Sequence, residues 1–185
     1  MERPSELPDR KVVRLKAWDY STQAYYFATI CSHEKRCIFG KIKNGRSLLS
    51  EVGRIVEEEW LKSANMRPHI ALEEFVVMPN HLHGIVVLTK SGPGLPAAES
   101  ASEIGYLRRK GKVRREPQSL SSFIAGFKAA VTKRINELNP QVKHAVWQRG
   151  FYEHVIRSEK DLYLIKQYIL DNPANWESDE EFRQH

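Results

Sequence analysis

Cysteine is scarce in this chain. Only Cys31 and Cys37 occur among 185 residues, and their spacing fits no zinc or redox motif. That excludes a disulfide scaffold and points to free thiols in a reducing compartment. Long apolar runs are also missing. No stretch approaches the twenty or so residues that cross a bilayer, and the start, Met1-Glu2-Arg3-Pro4-Ser5-Glu6, lacks the hydrophobic core of a signal segment. No internal repeat is visible, which excludes a solenoid. These absences lead us to expect a cytoplasmic protein without membrane association.

What remains is ordinary globular material. The apolar fraction is 41%, enough for a core, and the length suits one domain. The net charge of +6 is unevenly placed. It concentrates in Tyr106-Leu107-Arg108-Arg109-Lys110-Gly111-Lys112-Val113-Arg114-Arg115, whereas Glu177-Ser178-Asp179-Glu180-Glu181 is acidic. A local basic cluster suits either a solvated loop or a polyanionic partner such as nucleic acid.

Ala24 to Cys31 is aromatic and β-branched and predicts a strand. Asn44-Gly45 marks a turn. Ser47 or Ser50 caps a predicted helix carrying Leu48, Val52, Ile55, Val56 and Trp60, which stops near Asn65. Ile70–Met78 and His81–Thr89 read as antiparallel strands joined through Pro79-Asn80. Residues 90–118 form a long insertion, small and Pro-rich first, basic later. Ser119, Ser121 or Ser122 caps the next helix, which places Leu120, Phe123, Ile124, Phe127, Val131 and Ile135 on one face and ends at Asn139-Pro140. Ala145–Ile156 predicts a strand interrupted near Arg149-Gly150. Ser158 caps a final helix that Pro173 stops. The order β, α, β, β, α, β, α predicts a ferredoxin-like α+β domain: an antiparallel sheet with helices on one face and an additional C-terminal helix. The organisation expected is a basic arm over 1–20, a domain over 21–176 and an acidic tail over 177–185.

Two places carry chemistry. In Met78-Pro79-Asn80-His81-Leu82-His83-Gly84 the histidines are two apart in a strand, so both imidazoles share one face. They offer half of a metal site. In the last helix Tyr168 and Asn172 are four apart and stack on one side. Asn172 offers a carbonyl oxygen as a third ligand, and three protein ligands leave positions for substrate oxygens. Tyr168 then stands as a nucleophile for a phosphodiester, with a phenol that needs activation. Taken singly, each of these residues also has an ordinary structural role. Tyr152 and Tyr163 are rival tyrosines, and His154 shares a strand face with Tyr152.

Several ordered blocks across residues 11–176 resemble the HUH single-strand DNA transposases with one catalytic tyrosine, and most closely their REP-associated branch. The blocks are Arg14-Leu15 with Asp19-Tyr20, Tyr26-Phe27-Ala28-Thr29-Ile30-Cys31, Cys37-Ile38-Phe39-Gly40, Val77 to Gly84, Phe127-Lys128, Trp147 to Arg157, and Tyr168-Ile169-Leu170-Asp171-Asn172-Pro173. The resemblance implies His81 and His83 as metal ligands with Asn172 as the third, and Mg²⁺ or Mn²⁺ as the ion. It implies that Tyr168 attacks DNA, leaving a 5′-phosphotyrosine link and a free 3′-hydroxyl. The implied partner is single-stranded DNA at hairpin or palindromic elements. The implied assembly is a monomer or a homodimer, and in some relatives the tyrosine helix serves the partner's site. Arg149 and Lys128 are candidate phosphate contacts, as are Arg108, Arg109, Arg114 and Arg115 in the insertion. Two other readings stay open. One is a non-catalytic single-strand binder using Tyr25, Phe27 and Trp147 as a stacking platform. The other is a rolling-circle nuclease, against which the lack of a helicase-like extension weighs.

Overall fold

The computed structural model describes residues 24–89, 118–138, 140, 145–179 and 181. Strand β1 (Ala24–Cys31) leads into a short two-stranded ribbon, β2 (Gly40–Lys43) and β3 (Arg46–Leu49). Helix α1 (Glu51–Asn65) follows, then β4 (Ile70–Val77), β5 (His81–Leu88), α2 (Leu120–Leu138), β6 (Tyr152–Ile156) and α3 (Glu159–Asp171). The main sheet has the order β4-β5-β1-β6, and every neighbouring pair is antiparallel. This is the ferredoxin-like arrangement predicted, with the β2–β3 ribbon added between β1 and α1.

The serine caps explain three helix starts. Ser50 Oγ accepts from Gly53 N at 3.0 Å, Ser119 Oγ from Ser122 N at 3.2 Å, and Ser158 Oγ from Asp161 N at 3.1 Å. Each satisfies an N–H that the helix cannot. The ribbon was missed as a pair of strands. Each strand is only four residues long, too short to show alternation, but its turn is the signalled Asn44-Gly45, with φ of 52° and 68°, as a type I′ hairpin requires. The predicted strand over 145–156 is shorter than expected. Trp147 makes only an isolated bridge to Ser32, and Gly150 turns at φ 78° before β6 begins.

Alternation within the strands divides the core. Tyr26, Ala28 and Ile30 of β1, with Leu82 and Val86 of β5, face α1 and α2. There they pack with Trp60, Phe123, Ile124 and Phe127. The opposite residues, Phe27 and Ile85, face α3 and pack with Ile156 and Ile169. Thus α1 and α2 cover one face while α3 covers the other, and that other face carries the histidines. Gly84 marks a close approach: a Cβ there would lie 2.7 Å from Trp60 Cζ2 and 3.3 Å from Phe75 Cβ. Among the described residues, no helix is long and apolar enough to cross a membrane.

Candidate active site

His81 and His83 open β5, and their cross-strand partners on β1 are Cys31 and Thr29. Both are buried, at 0% and 2% exposure, with ring centroids 4.2 Å apart. Their outer nitrogens are fixed by neighbours. Asn80 Oδ1 lies 2.8 Å from His81 Nδ1. The Asn80 amide is itself held, because Nδ2 donates to Lys35 O at 3.1 Å and to Glu181 O at 2.8 Å. Oδ1 is then the acceptor, so His81 carries its proton on Nδ1 and offers a lone pair at Nε2. Thr29 Oγ1 sits 2.9 Å from His83 Nδ1. Such partners orient ring and tautomer in metal-ligating histidines.

Helix α3 lies over this face through Leu162, Ile165 and Ile169. The Tyr168 hydroxyl is 3.3 Å from His83 Nε2, and its ring meets His83 and Phe27 edge-on at 5.2 and 6.0 Å. The tyrosine stays 44% exposed, reachable by a large substrate. Helix and histidines belong to one chain, so Tyr168 meets its own His83. Asn172, at the C-terminal end of α3, is 3% exposed. Sequence reading thus placed four side chains, His81, His83, Tyr168 and Asn172, that the fold brings together.

A fifth group was not foreseen. Beyond Pro173 a short turn, Trp176–Ser178, seats Trp176 against His81 with centroids 5.9 Å apart, and Asp179 follows into the site. Asn172 Nδ2 donates to Asp179 Oδ2 at 2.6 Å. The Tyr168 hydroxyl donates to the same oxygen at 3.4 Å, and His83 Nε2 is 3.9 Å away. The Asp179 side chain is 1% exposed. Glu181 N donates to Asp179 Oδ1 at 2.6 Å, and the Glu181 carboxylate pairs with the buried Lys35 ammonium. Two members of the acidic segment are therefore folded in. An aspartate inside a run of acids reads as solvated, and the only sequence signal was its following Trp176 by three residues.

The electrostatics suit cation binding. Burial, reinforced by the neighbouring His83, pushes the His81 pKa well below the usual 6.5, so the ring is neutral near pH 7, as ligation requires. Burial alone would raise the Asp179 carboxyl. The contacts with His83, His81, Asn172 and Glu181 N–H outweigh it and hold the group well below the usual carboxylate range. Of the buried polar atoms without a hydrogen-bond partner among the described residues, two belong to this site: His81 Nε2 and Asn172 Oδ1. One ligand atom from each of His81, His83 and Asp179 lies within 4.8 Å of the others. Two imidazole nitrogens beside amide and carboxylate oxygens make a donor set that fits a divalent cation.

The remaining predicted residues fall elsewhere. Lys128 Nζ donates to Gln148 O at 2.9 Å and Gly150 O at 2.5 Å, and burial lowers its pKa to about 8. It clamps the turn whose apex is the exposed Arg149, and with two of its three N–H groups on carbonyls it keeps its charge beside that apex. Arg108, Arg109, Arg114 and Arg115 lie outside the described residues, as do the arm over 1–20 and nearly all of the insertion. Tyr163 is 62% exposed, on another side of α3. Tyr152 packs edge-on against Phe27 at 6.4 Å, and His154 bonds Asp161 at 3.2 Å. Among the described residues, Tyr25, Phe27 and Trp147 do not share one exposed face, and Tyr25 packs half-buried against the Phe27 cluster. Phe27 is buried beneath α3, and Trp147 packs with Phe39 and Phe127 on the other side.

No family model matches the chain. An uncharacterized protein of Haemophilus influenzae is 38% identical over 174 residues, covering 92% of each chain. The solved structure of the REP-associated tyrosine transposase bound to a REP hairpin aligns with 86% of this chain and 72% of its own, at a TM-score of 0.56 and 22% identity. At that identity the likeness concerns the fold. This chain therefore belongs to the family of the Haemophilus influenzae protein, and it is built on the fold of the REP-associated tyrosine transposase.

Proposed function

We propose that this protein is a metal-dependent tyrosine transposase that nicks and rejoins single-stranded DNA at hairpin elements. The observation that carries the proposal is the convergence at His83. A tyrosine hydroxyl stands 3.3 Å from Nε2, while the adjacent Nε2 of His81 and Oδ1 of Asn172 are buried and unpartnered. A binding module has no use for that constellation. The fold shared with a protein solved on a REP hairpin supports DNA as the partner.

His81, His83 and Asn172 would hold Mg²⁺ or Mn²⁺, with Asp179 adding negative charge. When bound, the ion supplies Lewis-acid polarisation of the scissile phosphate. The chain does the rest. Phe27, stacked on His83 at 5.2 Å, and Thr29 hold that ring still. Tyr168 places its hydroxyl beside His83 Nε2 and donates to Asp179 Oδ2, the carboxylate that takes up the proton as the phenol attacks and returns it to the leaving oxygen. The phenol oxygen forms a bond to phosphorus, the bond from phosphorus to the 3′ oxygen breaks, and that oxygen leaves as a hydroxyl after taking up a proton. The product is a 5′-phosphotyrosine link, which a 3′-hydroxyl reverses to rejoin DNA. The protein works in the cytoplasm, as a monomer or a homodimer, with each active site complete in its own chain.

The test uses a labelled hairpin oligonucleotide. Wild-type protein should form a covalent adduct with Mn²⁺ and none in EDTA. His83→Ala should abolish the adduct while retaining most DNA affinity, because binding rests on dispersed cations. Adduct formation that persists in EDTA would overturn the metal role.

A further inference from the structure

Gly40-Lys41-Ile42-Lys43-Asn44-Gly45-Arg46-Ser47-Leu48-Leu49 forms the β2–β3 ribbon, and no acid lies between Lys35 and Ser50. A two-stranded ribbon is marginal alone, so the body must hold it. Ser47 Oγ donates to Val77 O at 2.6 Å, Phe39 N to Pro79 O at 2.9 Å, and Leu49 packs on the core. These anchors fall at the end of β4 and just before Asn80 and His81. The tip closes on the other flank of the site: a Cβ at Gly45 would sit 3.6 Å from Ala174, two residues after Asn172. The ribbon thus touches the chain on both sides of the candidate ligands.

Its other face is turned outward and is basic. Lys41, Lys43, Arg46 and Leu48 are exposed. Register pairs Lys43 directly with Arg46, and Lys41 with Leu48. Like charges placed opposite each other destabilise a ribbon. None of the three cations has an ion pair among the described residues. Leu48, 44% exposed, gives them an apolar neighbour.

We propose that this face is a contact surface for the sugar–phosphate backbone of single-stranded DNA, and that it holds the strand beside the candidate active site. The inference rests on the DNA reading above and adds a surface to it. Phosphates neutralise the opposed Lys43 and Arg46, and Leu48 gives an apolar contact for a sugar or a base face. A contact of this kind positions DNA without reading its sequence.

The experiment measures binding of the full chain to a labelled single-stranded oligonucleotide and to a blunt duplex. Fluorescence anisotropy is followed in EDTA across a salt series. The triple variant Lys41→Ala/Lys43→Ala/Arg46→Ala is compared with the charge-keeping variant Lys41→Arg/Lys43→Arg/Arg46→Lys, with circular dichroism to check folding. The alanine variant should lose on the order of tenfold or more in single-strand affinity near 0.1 M salt. Its slope of log affinity against log salt should fall by about two, at roughly 0.7 for each lost contact. The charge-keeping variant should retain both. A folded alanine variant with unchanged affinity and slope overturns the proposal and leaves the cations as edge protection against pairing with other chains. So does an equal loss in the charge-keeping variant, or a loss confined to the duplex. Because EDTA removes cleavage from the measurement, a chain that binds through the ribbon but never forms an adduct overturns only the reaction.

Discussion

Asp179 Oδ2 lies 2.6 Å from Asn172 Nδ2, and that bond fixes which way the Asn172 amide points. With its nitrogen committed to the carboxylate, the oxygen is left buried and unpartnered, the state a third metal ligand needs. Asn172 sits where a helix ends beside a proline, a position that does not by itself orient a short side chain. The C-terminal segment does so.

Removing that carboxylate should therefore weaken the metal centre without touching the histidines. Asp179→Ala should lower Mn²⁺ affinity about 10- to 100-fold, the usual scale for such partners. Asn172→Ala should cost a comparable amount, and the double variant little more than either single one, because the two act as a unit. Isothermal titration calorimetry measures all three. Additive losses would separate the residues.

Asn80 and Thr29 should behave alike for the same reason. Each holds an Nδ1, at 2.8 and 2.9 Å, and thereby leaves Nε2 as the metal-facing atom. Asn80→Ala should reduce Mn²⁺ affinity by about tenfold or more and loosen residue 181, whose carbonyl it also binds. Thr29→Val should reduce affinity while keeping the fold. Mn²⁺ electron paramagnetic resonance reads free against bound ion, and wild-type affinity in both variants would remove these residues from the centre.

Acid should destabilise the metal-free protein in two stages. Burial lowers the His81 pKa in the folded state, whereas the unfolded side chain titrates near about 6.5. On acidification the unfolded chain takes up the proton first, so stability is full above about pH 7 and falls as pH drops below about 6.5. Asp179 acts in the same direction at lower pH. Its depressed carboxyl stabilises fully above about pH 4, the unfolded value, and that stabilisation is lost below it. Thermal melts should show a decline beginning between about pH 6.5 and 5 that His81→Gln removes. A melting temperature flat to pH 5 would contradict the first stage.

Gly84 follows the second histidine because Trp60 occupies the space above it. Gly84→Ala brings a methyl group within 2.7 Å of the Trp60 ring. It should cost about 1 to 3 kcal/mol in chemical denaturation, the range for an overpacked core. A neutral substitution would show that Trp60 can move.

Much of this was legible in the residues because it depended on short periods. Two histidines on one strand face follow from a period of two. Tyr168 above Asn172 follows from helical spacing, and the helix starts follow from serine caps. What was not legible depended on long-range placement. Asp179 reaches the site only because a turn after Pro173 returns the chain to His81, and an acidic run does not by itself show which of its carboxylates are folded in. Lys128 reads in the sequence as a cation alone; that it also ties down the turn around Arg149 depends on carbonyls 20 and 22 residues away. The basic ribbon escaped notice because strands of four residues carry too little pattern.

The most direct measurement is the site of covalent attachment. After reaction with a hairpin oligonucleotide and Mn²⁺, nuclease trimming and peptide mapping by mass spectrometry should find a nucleotide joined through a 5′ phosphate to Tyr168. Tyr168→Phe should yield no adduct. A nucleotide found on Tyr152 or Tyr163, or an adduct undiminished in Tyr168→Phe, would contradict the assignment of Tyr168 as the nucleophile beside His83.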